Sequence, residues 1–326
     1  MSRDDYGNFR MPETKNNSGA PSQEPATAPS PLPSLTAPSV DNMHDFFLGP
    51  HGLRPGWSLF LYFGMGAVVF FLLSTAVRFV PSRGAGALWQ TFSIYIALVV
   101  SSLLPARILA AVEKRPFGSY GLPWRGVLSK PFWLGLAWGI IALSILMLLM
   151  RGAGAFSYGD LALHGARAFR FAAFWGIFFL LVGFFEEFTF RGYTQFTLSR
   201  GIGFWPAAVA LSFVFGAIHL QNPGEAWVGA LCAGLIGLFF CFTLRRTGSL
   251  WFAVGMHASW DWGESYLYSV PDSGGMVSGH LLNSSFHGSR WLTGGSVGPE
   301  GSALVFVVIA LMWVVFDRVY PRSQPI

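Results

Sequence analysis

From residue 57 onward, apolar runs of about twenty residues alternate with short polar breaks. A helix of that length rises about 30 Å, the thickness of a bilayer's hydrocarbon core. The pattern predicts eight membrane helices, at 57–77, 88–109, 131–150, 170–199, 204–220, 227–244, 249–268 and 301–320. The fourth is long for one crossing, which predicts tilt or projection beyond the bilayer. Residues 110–130 are basic and broken by Gly and Pro, as expected of a surface segment, and 269–300 read as a polar, Gly-rich loop. Residues 1–50 have no apolar periodicity. Pro12, Pro21, Pro25, Pro29, Pro31, Pro33 and Pro38 stand among Ser, Thr, Ala and Asn, a composition that cannot bury enough apolar surface to order itself. The expected organisation is a disordered Pro/Ser/Ala-rich tail over 1–50 and a membrane domain over 51–326. The expected fold class is an all-α polytopic membrane protein, a bundle of about eight transmembrane helices.

Composition sharpens this picture. The 326 residues are 52% hydrophobic and only 11% charged, where soluble domains carry about 25% charge, and the mean hydropathy is +0.48. An ordinary soluble enzyme, a disordered chain and a nucleic-acid-binding domain are excluded; the surrounding partner is the lipid bilayer. The net charge of +5 hides an asymmetry: residues 1–50 carry −3 and the rest +8. With the tail inside, the inner flanks hold 15 Lys and Arg and the outer flanks six, namely Arg78, Arg83, Arg151, Arg167, Arg170 and Arg290. That bias predicts both termini on the cytoplasmic side. The two cysteines, Cys232 and Cys241, lie in one apolar run, form no CxxC, and are expected as buried thiols.

Against this background the ionisable residues within the runs stand out. Each costs roughly 2.5–3.5 kcal/mol at the helix centre, so each is expected to face a partner or a wet cavity. Glu187 and Arg191 are four apart and can neutralise one another on one helical face. Glu186 then points elsewhere, without a basic partner on its own helix, and is the better candidate for chemistry. His257 and Asp261 are also four apart, and His219 follows Phe215 by four. At about 1.5 Å per residue, Glu186 lies roughly 20 Å from an inner edge at Ser199, His219 roughly 22 Å from Phe204, and His257 and Asp261 roughly 12 and 18 Å from Ser249. One broad layer of the bilayer thus holds four groups from three helices. Two imidazoles and carboxylates are zinc-type ligands. The one-helix H-E-x-x-H pattern is absent, so any such site is assembled from separate helices. His44, His51, His164, His280 and His287 fall in the tail, loops or edges and are expected to be solvated.

These residues also carry a resemblance. Glu186-Glu187-Phe188-Thr189-Phe190-Arg191 matches EExxxR, Phe215-Gly216-Ala217-Ile218-His219 matches FxxxH, and His257-Ala258-Ser259-Trp260-Asp261 matches HxxxN or HxxxD. Three such motifs in order resemble the CAAX-protease and bacteriocin-processing (abortive-infection-like) family of intramembrane endopeptidases, to which type II CAAX prenyl endopeptidases belong. The resemblance runs mainly over 171–268. It implies that Glu186 activates water, that His219 and His257 hold the water, a metal or the developing oxyanion, and that Glu187 and Arg191 support them. Asp261 takes the last polar position, where the prenyl-protein enzymes typically have Asn. An ionised Asp cannot donate to an oxyanion, and suits metal ligation or orientation of His257.

The expected function is therefore hydrolysis of a peptide bond in a membrane-associated protein or peptide. Glu186, His219, His257 and Asp261 are the catalytic set. Zn2+ or another divalent metal is expected on His219 and His257, with Glu186 and Asp261 as further ligands. The expected location is a bacterial cytoplasmic membrane. Two rivals predict other behaviour: a proton-coupled transporter moves solute without cleavage, and a noncatalytic scaffold or immunity protein keeps its function when Glu186 is neutralised.

Overall fold

The computed structural model describes residues 46–321, except 50, 51, 81, 82, 84, 124, 125, 223, 225 and 226. The tail expected over 1–50 lies outside the described residues except for 46–49. Helices form at each of the eight predicted places. They are α1 (Pro55–Val77), α2 (Ala85–Val112), α3 (Lys130–Gly152), α4 (Gly165–Glu187) continuing through a π-helical segment and α5 (Thr194–Ile202), then α6 (Phe204–His219), α7 (Trp227–Thr247), α8 (Trp251–Trp262) and α9 (Leu304–Val319). Pro55 and Pro131 stand in the first turns of α1 and α3, where a missing N–H costs no helical bond.

The number of spans differs from the expectation. Among the described residues, five helices are long and apolar enough to cross a membrane: Pro55–Val77, Gly86–Val112, Lys130–Gly152, Gly165–Ile202 and Trp227–Thr247. The all-α membrane bundle stands, but with five such spans rather than about eight. The other three helices have 16, 12 and 16 residues, and so rise only about 18–24 Å. Apolar runs in the sequence extend past the helices they form, because a run marks burial in lipid or protein without marking where the backbone turns.

Helix α8 continues directly into a π-helical segment, Gly263–Tyr268. It is buried along nearly its whole length, with Phe252, Ala253 and Val254 at 0% exposure. It packs most extensively on α3 and then on α4. Lipid tails are as apolar as Leu, so close packing must draw helices together within a membrane. The α3–α8 contact achieves this with glycine: a Cβ on Gly135 would overlap the Phe252 carbonyl, and one on Gly255 the Phe132 carbonyl.

Hydrogen bonds gather the helix termini at two ends. At one end Arg200, next to Gly201 of α5, reaches Glu113 just beyond α2 (2.7 Å) and the Leu53 carbonyl (2.9 Å). The Leu250 N–H donates to the Gly121 carbonyl (2.8 Å), and Arg246 binds Asp317 and the Tyr320 carbonyl. The segment expected on the surface at 110–130 is thus partly packed in, with Tyr120 only 2% exposed. At the other end Phe156–Ser157 pairs antiparallel with Ser285–Phe286, in the register Phe156↔Phe286. The Trp175 indole donates to the Ser278 carbonyl. The loop at 269–300 is therefore tied down rather than free.

Candidate functional site

Two π-helical segments flank the site: Phe188–Tyr193 directly after Glu186 and Glu187, and Gly263–Tyr268 shortly after Asp261. A π turn inserts a residue into the helical register and re-aims the side chains around it. In the first segment the backbone leaves helical geometry at Gly192 (ψ −114°). The Glu187–Arg191 pair forms across the start of this segment, with Nη1–Oε1 at 3.1 Å and both side chains at 0% exposure.

Glu187 does more than neutralise Arg191. The same Oε1 lies 2.9 Å from Nδ1 of His257, seventy positions away on α8. A carboxylate already paired with a guanidinium accepts, so Nδ1 carries a hydrogen and Nε2 is turned away from Glu187. That nitrogen faces two carboxylates, Glu186 Oε2 at 3.7 Å and Asp261 Oδ2 at 3.5 Å. Both are beyond direct hydrogen-bond length. Phe240 of α7 stacks on the imidazole, with ring centres 5.7 Å apart and planes 17° apart. The ring is thus held by a hydrogen bond at one nitrogen and a flat wall on its face.

Arg191 sits 4.2 Å from the Phe215 ring centre, a cation–π contact in a site that water does not reach. A Cβ on Gly237 of α7 would overlap its guanidinium, so the glycine makes the room. His219 closes α6. Its Nδ1 lies 2.7 Å from the Phe215 carbonyl. A carbonyl only accepts, so here too Nδ1 carries the hydrogen and Nε2 is free.

Glu186, His219, His257 and Asp261 all line one cavity of about 340 Å³. The Glu186 side chain keeps 22% of its surface exposed and Glu187 none, which separates the carboxylate that meets cavity contents from the one that holds its neighbours. No direct hydrogen bond or ion pair joins His219 to the other three among the described residues. Tyr95, Phe178, Phe179, Asn222 and Phe240 complete much of the wall. Sequence reasoning passed over Tyr95 and Asn222, which belong to none of the spaced ionisable pairs.

Asp272 and Glu300 also line this cavity. With Glu264 they form a candidate acidic metal-binding cluster, one oxygen from each lying within 4.8 Å of the others. The two histidines are not in that group. Burial pushes the Asp272 carboxyl well above its ordinary range, with Asp261 and Glu300 adding to the effect and His257 opposing it. Sequence reasoning missed this cluster entirely, since its members are scattered over a helix end, a loop and a short turn. Cys232 and Cys241 are buried thiols in no disulfide, as expected. His164 and His287 are exposed, while His280 is half-buried with Nδ1 on the Val277 carbonyl; His44 and His51 lie outside the described residues.

The fold and the site define a class: an integral membrane protein of apolar helices that enclose a buried Glu/His/Asp network. Residues 168–263 match the family described as type II CAAX prenyl endopeptidase Rce1-like, so an Rce1-like domain occupies that part of the chain, under a third of its length. No curated protein and no solved structure matched the chain.

Proposed function

We propose that the protein is an intramembrane endopeptidase that hydrolyses a peptide bond of a membrane-associated protein or peptide, in a bacterial cytoplasmic membrane with both termini inside. The observation that carries this reading is the Glu186 carboxylate. It is open to the cavity, 3.7 Å from His257 Nε2, within the Rce1-like segment. A water in the cavity can touch both polar atoms from one side.

In the proposed reaction Glu186 takes a proton from this water, and the hydroxide oxygen bonds to the scissile carbonyl carbon. Without a metal, His219 and His257 meet the oxyanion from the cavity wall through a hydrogen on Nε2. The C–N bond then breaks, and Glu186 returns its proton to the leaving amine. Glu187 keeps the His257 ring in its tautomer and orientation. Asp261 reaches the same Nε2 and acts by charge, since an ionised carboxylate has no hydrogen to donate.

The donor chemistry fits a divalent metal. Both histidines have Nδ1 held by an oxygen, the arrangement found behind metal-bound imidazoles, and two carboxylates face Nε2 of His257. His219 and His257, with Glu186 and Asp261, would hold a zinc-type ion, which when bound supplies Lewis-acid polarisation of the carbonyl and of water.

Purified protein in proteoliposomes, incubated with membrane peptides, tests the proposal. Glu186→Gln, with its fold checked by thermal unfolding, is expected to lower cleavage by about 10²–10⁴-fold, the usual weight of a general base. Unchanged cleavage by folded E186Q overturns the assignment. Solute flux that needs Glu186 without any cleavage replaces it with the transporter.

A further inference from the structure

Among the described residues, the acidic cluster shares the cavity with the Glu186–His257 network but no hydrogen bond or ion pair with it. Glu264 comes from the π segment after α8, Asp272 from the following loop and Glu300 from the 3-10 turn Pro299–Gly301 before α9. Glu264 is 0% exposed, and neither of its carboxylate oxygens has a hydrogen-bond partner. The Trp260 indole approaches it outside hydrogen-bond geometry. Asp272 accepts only a long bond from Ser265 Oγ (3.2 Å), and Glu300 accepts one from Ser273 Oγ (2.7 Å). Among the described residues no Lys or Arg forms an ion pair with any of the three.

Three carboxylates in such proximity cannot all ionise without a counter-charge. A buried carboxylate with both oxygens unsatisfied is costly even when it stands alone. Protonation would relieve the charge, yet the remaining oxygen lone pairs of Glu264 would still have no donor. A cation satisfies every open lone pair at once. All the donors are carboxylate oxygens, which favours a hard ion over zinc.

We propose that Glu264, Asp272 and Glu300 bind a hard divalent cation of the Mg2+, Mn2+ or Ca2+ class, which staples the 269–300 loop to the end of α8 beside the active-site cavity. The site does not depend on the endopeptidase reading. Water completes its coordination from the cavity, where Asp272 and Glu300 are exposed to it. The cation also sets a positive charge near Asp261, one helical turn from Glu264.

The test uses full-length protein stripped with EDTA, and measures thermal unfolding with CaCl2, MgCl2 or MnCl2 added singly. At roughly a hundred times Kd, one of these is expected to raise Tm by on the order of 5 °C. E264Q and E300Q are expected to abolish the rise, while H257A keeps it. E300Q covers the case in which E264Q fails to fold, because Glu300 is only half-buried. No rise with any of the three salts overturns the proposal. So does a rise that E264Q and E300Q leave intact, or one lost only in H257A, which would belong to the histidines. A metal-free E264Q that is more stable than wild type, with no response to salts in either, assigns the cluster to shared protons instead.

Discussion

At the scale of single residues, the site depends on one buried ion pair that serves two partners. Glu187 holds Arg191 at 3.1 Å and His257 at 2.9 Å through the same oxygen. Removing one partner of a buried pair leaves an uncompensated charge and typically costs about 3–5 kcal/mol. Arg191→Met is therefore expected to lower Tm sharply, and Glu187→Gln combined with Arg191→Met to recover most of the loss, since no charge is then stranded. Glu187→Ala strands Arg191 and is expected to lower Tm as well, but measured on the folded fraction its kcat is expected to fall by about 10–100-fold with little change in KM, because the His257 ring loses its anchor. Glu187→Gln should rescue much of that loss, as its amide oxygen still accepts from Nδ1. Equal kcat in E187A and wild type would remove Glu187 from its positioning role. The Glu187–Arg191 pair and the nearness of His257 to Asp261 were readable from spacing, since residues four apart share a helical face. The Glu187–His257 bond was not, because its partners sit on different helices and no local pattern records which faces meet.

At the scale of elements, glycines set how closely helices approach, and two of them separate packing from chemistry. Gly255 seats α8 against the backbone of α3, and Gly237 opens α7 for the Arg191 guanidinium. Adding one methyl at either place overpacks the contact, at about 1–3 kcal/mol. Gly255→Ala and Gly237→Ala are thus both expected to lower Tm. Only Gly237→Ala is expected to reduce cleavage beyond what its lost stability explains, because it displaces the partner of Glu187. Cleavage by folded G237A at the wild-type rate would uncouple Arg191 from the site. Helix positions were legible as apolar runs, and their ends less so. The two π segments were invisible, because their register comes from tertiary packing around Arg191 and Asp261 and not from local preference. The acidic cluster was equally hidden: Glu264, Asp272 and Glu300 converge only once the 269–300 loop has folded back over the end of α8.

At the scale of the whole molecule, the helix termini collect at two ends, one marked by Arg200, Glu113, Arg246 and Tyr320 and the other by the Phe156–Phe286 pairing. Among the described residues five helices are long enough to span, so counting spans no longer decides where the C-terminus lies. The charge bias still bears on it. Arg191 is fully buried in the bundle and drops out of the inner flanks, yet those flanks remain richer in Lys and Arg than the outer ones by more than two to one. Short α6 and α9, and α8 with its π-helical continuation, can serve as crossings where the bilayer thins locally or where neighbouring helices shield their ends. This arrangement predicts that Asn283 and Arg318, both exposed, face opposite sides of the membrane. Cys232 and Cys241 are at 1% and 0% exposure, so a membrane-impermeant maleimide should leave the native chain unlabelled. Asn283→Cys is then expected to react from outside intact cells, and Arg318→Cys only after the membrane is opened. Labelling of both from the same side would mean that α9 does not cross. The acidic cluster would still sit beside the cavity, but the charge bias would have to be explained by headgroup contact rather than by orientation.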